Sequence, residues 1–188
     1  MKPTVATATP MPTSKRTGHP PDRDHAAPYR LVVLAPDTAD AVSAAGGLVV
    51  DALRAGWRVA IYLETQAHAQ ALQILGATGH ALPPTFDIES HRPDAVVFAA
   101  AMYHQHRGVR RFIADATRRY GADVAAWGGT WPAAPASAAE IKHRLSSAAY
   151  AFKHHALKAV GTDAPLSNNE AFSGRLDRLT AVEPALSD

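Results

Sequence analysis

Short apolar runs, each followed by a stretch with helical spacing, constrain this chain more than any other feature. The runs are YRLVVLA at Tyr29–Ala35, WRVAIYL at Trp57–Leu63, AVVFAA at Ala95–Ala100 and DVAAW at Asp123–Trp127. A continuous apolar strand of this kind suits a sheet covered on both faces. Between the runs, Ala41–Ala55 carries Val42, Ala45, Val49 and Leu53 on one face and stops at Gly56. Ala67–Leu75 stops at Gly76, and Gly108–Tyr120 carries Val109, Phe112, Ile113 and Ala116 on one face. Such spacing is the helical period, and glycine is its usual stop. A short strand is expected at His80–Leu82 and a helical or irregular piece at Phe86–His91, closed by Pro93. Beyond Asp123–Trp127 the sequence predicts a Gly/Pro/Trp loop over Gly128–Ala136 and a long helix over Ser137–Ala159. The chain after Gly161 reads as loose, with a short strand or helix near Glu170–Leu179. Strands alternating with helices predict an α/β fold: a Rossmann-like, mostly parallel sheet with helices on both faces and right-handed crossovers.

The linker signals lie only at the ends. Residues 1–28 contain six prolines and no periodicity, so a disordered tail is expected there. The HPPDRDH stretch from His19 to His25 lies in it and is read as solvated rather than metal-binding. A single domain is expected over 29–160, with a C-terminal extension over 161–188. The 188 residues suffice for one domain with a real core. With 19 Lys and Arg against 17 Asp and Glu, the formal charge of +2 lacks the concentrated basic footprint of a nucleic-acid binder. No cysteine is present, which excludes disulfides, thiolate metal sites and a cysteine nucleophile. No apolar run reaches the ~18 residues of a membrane helix, and the start has no signal-peptide core. The expectation is a cytoplasmic protein with a small-molecule substrate as partner, no nucleic acid and no membrane insertion. A homo-oligomer is left open.

In folds of this class, ligands bind outside the carboxyl ends of the strands. That rule selects Pro36–Asp40, Glu64–Gln66, Met102–His106 and the loop Gly128–Trp131. The first turn has no G-x-G-x-x-G, and neither a P-loop nor a G-x-S-x-G elbow occurs, so those chemistries are not supported. The first turn does carry Asp37 and Asp40. In their ordinary roles Asp40 is an N-cap and Asp37 a turn residue. Alternatively, they converge on a cation with an imidazole from His104 or His106, an O,O,N ligand set. The arginines Arg107, Arg110, Arg111, Arg118 and Arg119 read chiefly as the wet face of their helix. Trp127 and Trp131 read as core with a loop between them.

The order of several segments resembles the PIG-L or LmbE-like N-deacetylases. VVLAPDTADAVSAAGG at Val32–Gly47 is similar to that family's first motif, written P-H-x-D-D-A-V or A-H-P-D-D-E, with its following Gly-Gly. RAGWRVAIYLE, AQALQILGATG, RPDAVVF and YHQHRGVRRFIADA resemble the family's later segments in the same order, and AYAFKHH is a weaker match. The resemblance covers roughly residues 29–160. It implies zinc held by a His and an Asp of the first motif and by the last His of H-P-D-H. By position these ligands are Asp37, Asp40 and His106. The family's general base falls on Ala39, and its carbonyl-polarising histidine falls on Tyr103. The Asp of H-P-D-H becomes Gln105, and the family's Arg-x-x-Glu has no counterpart around Gln66–Ala69.

These departures have consequences. Two carboxylates would formally cancel a divalent charge, so a metal-bound water would be less acidic than at a His/Asp/His site. The oxygen-rich set shifts preference from zinc toward Mn, Fe or Mg, and the absence of any metal stays open. Ala39 cannot take a proton, and general acid–base help is worth ~100–10,000-fold. His104 is the nearby substitute, with Tyr103 beside it. The expected function is a diverged, metal-dependent N-deacetylase acting weakly on a small N-acylated substrate, such as an N-acetyl sugar or natural-product intermediate. The alternative is a pseudoenzyme that keeps the fold as a binding or partner protein.

Overall fold

The computed structural model describes residues 27–132, 139–162 and 166–180. The expected tail over 1–28 and its HPPDRDH stretch fall almost wholly outside the described residues.

The first strand, β1 (Arg30–Asp37), is followed by α1 (Thr38–Arg54), β2 (Arg58–Thr65), α2 (Ala69–Ile74), β3 (Gly79–Ala81) and α3 (Ile88–His91). Then come β4 (Ala95–Ala99), α4 (Ala100–Gln105), α5 (Arg107–Tyr120), β5 (Asp123–Trp127), β6 (Ala139–Arg144), α6 (Ser147–Ala159), β7 (Asn169–Gly174) and α7 (Asp177–Thr180). One seven-stranded sheet has the order β3-β2-β1-β4-β5-β7-β6. The first five strands are parallel, and β7 runs antiparallel to both β5 and β6. The α/β fold with a mostly parallel sheet, read from the alternation of elements, is the fold observed.

The apolar runs form the centre of the sheet. Leu31–Ala35 and Ala95–Ala99 are buried throughout, and they pair from Leu31↔Ala95 to Leu34↔Phe98. Each Val, Leu or Phe side chain among them contributes about 1.5–3 kcal/mol by leaving water. Helices α1, α2 and α6 pack together as one layer, while α5 packs with α3 and α4 as the other. The strand order reverses between β1 and β4. A crevice opens at the carboxyl ends of strands at such a reversal.

Three expectations are corrected. The long helix over Ser137–Ala159 is a strand followed by a helix. Ile141 pairs with Phe172 across β6 and β7, and Ser146 then caps α6, its Oγ accepting the Ala149 N–H at 3.1 Å. Residues 137 and 138 lie outside the described residues. Tertiary pairing overrides helix propensity in AEIKHR, where only the serine cap marked the break. The chain beyond 160 is also not loose throughout: β7 lies inside the sheet, between β5 and β6. Gly174 makes that possible. Its φ is +142°, and a Cβ there would meet the Val124 carbonyl oxygen and lie 2.7 Å from the Ala125 Cα. Finally, the segment after β4, expected as a strand-end loop, is the short helix α4.

The flank opposite α5 is closed by a buried ion pair. Lys153 Nζ lies 2.6 Å from Glu170 Oε1, and both side chains are almost fully buried. The same carboxylate accepts the interior α1 amides of Gly47 and Leu48 at 2.7 and 2.8 Å. Burial pushes the Glu170 carboxyl upward, opposed by the Lys153 ammonium and the two amides. Gly47 is required by packing: a Cβ there would sit 2.5 Å from Leu145 Cγ. Nearby, Asp51 accepts from the Ser146 hydroxyl at 2.5 Å and pairs with His143 Nε2 at 3.0 Å.

Candidate functional site

The carboxyl ends of β1, β2, β4 and β5 form one rim. β1 ends at Asp37, whose extended backbone (φ −152°) makes it the N-cap of α1. Its Oδ1 accepts the Asp40 N–H at 2.9 Å. The ordinary roles read from the sequence are therefore exchanged: Asp37 caps, and Asp40 sits in the first turn. Asp40 turns its carboxylate toward β5, where Trp127 Nε1 donates to Oδ2 at 2.9 Å. Burial pushes the Asp40 carboxyl up, the tryptophan bond pulls it down, and the neighbouring Asp37 charge adds to the rise. The net direction is upward, so Asp40 holds a proton more readily than a free aspartate. Thr38 is buried beside them, its hydroxyl donating to the Ala67 carbonyl.

His106 stands at the junction of α4 and α5. Its N–H donates to the Met102 carbonyl at 3.0 Å, and its carbonyl accepts from the Arg110 N–H at 3.1 Å. The imidazole points to β2, with Nε2 3.4 Å from Glu64 Oε2. That nitrogen is buried and, among the described residues, makes no hydrogen bond. Glu64 is the rim residue that motif reasoning missed. Its signal was positional: it is the ionisable residue at the end of β2, in a segment that the strand-end rule had already selected.

Helix α4 carries the other two expected residues. Tyr103 is half-buried, its ring 6.2 Å from that of Phe98 and 5.7 Å from that of Trp131. His104 is exposed, with Nε2 3.1 Å from the Thr130 carbonyl oxygen. A carbonyl only accepts, so the proton of the neutral ring sits on Nε2 and Nδ1 keeps its lone pair. Trp127 and Trp131 are both buried, as core packing predicts, although Trp127 also holds Asp40. Among the arginines of α5, only Arg110 is half-buried, as a wet helix face requires.

The expected metal ligands share the rim but not one centre. Asp37 is a cap, Asp40 holds Trp127, and His106 faces Glu64. Among the described residues, no group of three His, Cys, Asp or Glu side chains is placed to hold a metal ion. As arranged, these donors do not fit a divalent metal.

No protein-family model matches the chain, and no curated protein matches it. Solved structures do. The antimicrobial A40926 pseudoaglycone deacetylase superposes with a TM-score of 0.56 at 14% identity, over 78% of this chain and 97% of that one. A deacetylase–teicoplanin complex from teicoplanin biosynthesis gives 0.56 at 14% identity, over 79% and 99%. The zinc-inhibited form of teicoplanin deacetylase gives 0.55 at 14% identity, over 79% and 99%. The fold implied by the motif resemblance is thus the fold observed: this chain is built on the same α/β scaffold as these deacetylases.

Proposed function

We propose that this chain is a diverged PIG-L/LmbE-like N-deacetylase that takes a small N-acylated molecule at the carboxyl rim of its sheet and hydrolyses amides slowly. One observation carries the reading. The scaffold is shared with natural-product deacetylases over almost their whole matched length, and the segments resembling the family's motifs fall at its β1–α1 turn and after β4. The substrate class, an N-acetyl sugar or a natural-product intermediate, follows from that resemblance. Slow turnover follows from the side chains. Ala39 has no proton acceptor, and Asp40 and His106 are engaged with Trp127 and Glu64. His104 Nδ1 is the acceptor left to take a proton from an attacking water, and Tyr103 stands where the family polarises the carbonyl. No step is assigned to a metal.

The engagement of Asp40 and His106 also favours a second reading, a binding protein without hydrolysis. Acetate release from N-acetylglucosamine separates the two. Slow release is expected from the wild type and none from His104→Ala. Ala39→Asp, which puts a carboxylate at the position of the family's base, should accelerate release by ~100-fold or more, the scale of general-base catalysis. Rapid wild-type turnover that survives His104→Ala would overturn the assignment. Binding of the sugar with no release from any variant would leave the binding-protein reading.

A further inference from the structure

A groove of about 600 Å³ runs along α5, on the side of the sheet away from α1 and α6. Its apolar wall includes Ile113, Val124, Ile141 and, at the rim end, Tyr103 and Trp131. A volume of this size is that of a small-molecule site. We propose that this groove binds an amphipathic anion, a small molecule with an elongated apolar body and a carboxylate or phosphate head, with the head at Arg118 and the body reaching toward Tyr103 and Trp131.

Several arginines near the groove are already compensated. Arg111 lies 3.8 Å from Asp115, and Arg119 lies 3.4 Å from Glu89. Arg175, in the groove, pairs with Asp123 at 3.0 Å and lies 3.9 Å from Asp177. Arg110 gives one nitrogen to the Tyr103 and His104 carbonyls, both at 3.0 Å, and so closes the end of α4. Arg118 makes one hydrogen bond, to the Ala114 carbonyl at 3.2 Å, within its own helix. Among the described residues it therefore borders the groove as a cation with no carboxylate partner and with donors to spare.

The distances agree with an elongated ligand. Arg110 and Arg118 lie on one face of α5, separated by about 12 Å of helix rise. A head at Arg118 would put the apolar body over Ile113 and Val124, with its far end against the two aromatic rings. Asp177 at the Arg118 end disfavours a dianion there, which points to a single charge. Among the described residues the buried Trp131 Nε1 has no hydrogen-bond partner, and it is the probe nearest the far end of the ligand. The groove shares Tyr103 with the deacetylase reading but uses none of Asp37, Asp40, His104 or His106, and binding in it is read without any acetate release.

Decanoate is the probe, with decanol and acetate as controls, and the readout is the indole N–H spectrum of the protein's three tryptophans. Decanoate should move the Trp131 signal saturably and leave Trp57 unmoved, because Trp57 stacks on Tyr29 at 5.0 Å, away from the groove lining. Acetate should move nothing. Arg118→Gln should weaken decanoate about five-fold, as for an exposed ion pair, and should leave decanol unchanged. Ala114→Phe should fill the groove and abolish the shift, with the Trp57 and Trp127 signals in place as evidence of folding. A still Trp131 signal would overturn the proposal. So would decanol binding as tightly as decanoate, or Arg118→Gln leaving decanoate affinity unchanged. A dimer in sedimentation that Ala114→Phe turns into a monomer would also overturn it, since the groove would then join two copies of the chain.

Discussion

The α1–α6 flank and the carboxyl rim use the same kinds of side chain in opposite ways. On the flank each carboxylate has several partners. Glu170 takes one ammonium and two amides, and Asp51 takes a hydroxyl, an amide and an imidazole. At the rim the partners are single: one indole for Asp40, one glutamate at 3.4 Å for His106, one carbonyl for His104. Groups held at several points cannot be changed without harm, whereas groups held at one point can change identity while the scaffold persists. The flank thus fixes the scaffold, while the rim leaves its ionisable side chains loosely tied.

Removing one partner of the buried pair should be the costliest change. Lys153→Met leaves Glu170 buried without its cation, and about 3–5 kcal/mol of stability should be lost in urea unfolding. Adding Glu170→Gln should recover part of that loss. A cost below that of any rim substitution would break the comparison.

The next effect depends on pH. Burial acts to raise the Asp51 carboxyl, but bonds from His143 and Ser146 outweigh it and hold the group below its ordinary range. A carboxyl lowered by folding stabilises the protein at pH values above its unfolded value. That contribution is lost as the pH falls through the lowered folded value. Asp51→Asn should therefore cost about 1–2 kcal/mol near neutrality. The gap to the wild type should close in acid, and a gap independent of pH would show that the charge is not used.

The third effect belongs to the rim. Trp127→Phe removes the indole N–H, so the Asp40 carboxyl should titrate higher still, seen in its carbon NMR shift. Stability should fall by about 1–3 kcal/mol, for the lost bond and the smaller ring, and by less than for Lys153→Met. A loss comparable to that of Lys153→Met would place the rim among the multiply held regions.

The sequence carried the parallel half of the fold well. The runs at Leu31–Ala35 and Ala95–Ala99 need cover on both faces, and Gly56, Gly76 and Gly121 each end a helix at positive φ. The antiparallel half was hidden, because β6 is a strand only by virtue of its pairing with a segment some thirty residues later. At the site, position along the chain located the rim but not the partners. That Asp40 would meet Trp127, 87 residues away, has no local signature. The same holds for His106 and Glu64.

The placement of β7 between β5 and β6 dictates an order of assembly. β6 emerges first during synthesis but, among the described residues, has β7 as its one neighbour in the sheet. Until Asn169–Gly174 is made, β5 is an open sheet edge and β6 lacks its partner strand. Exposed edges recruit strands from other chains, and contacts distant in sequence form slowly. The nascent chain is thus most prone to sticking between the synthesis of β5 and that of β7, and a chain ended after α6 would keep that edge open permanently.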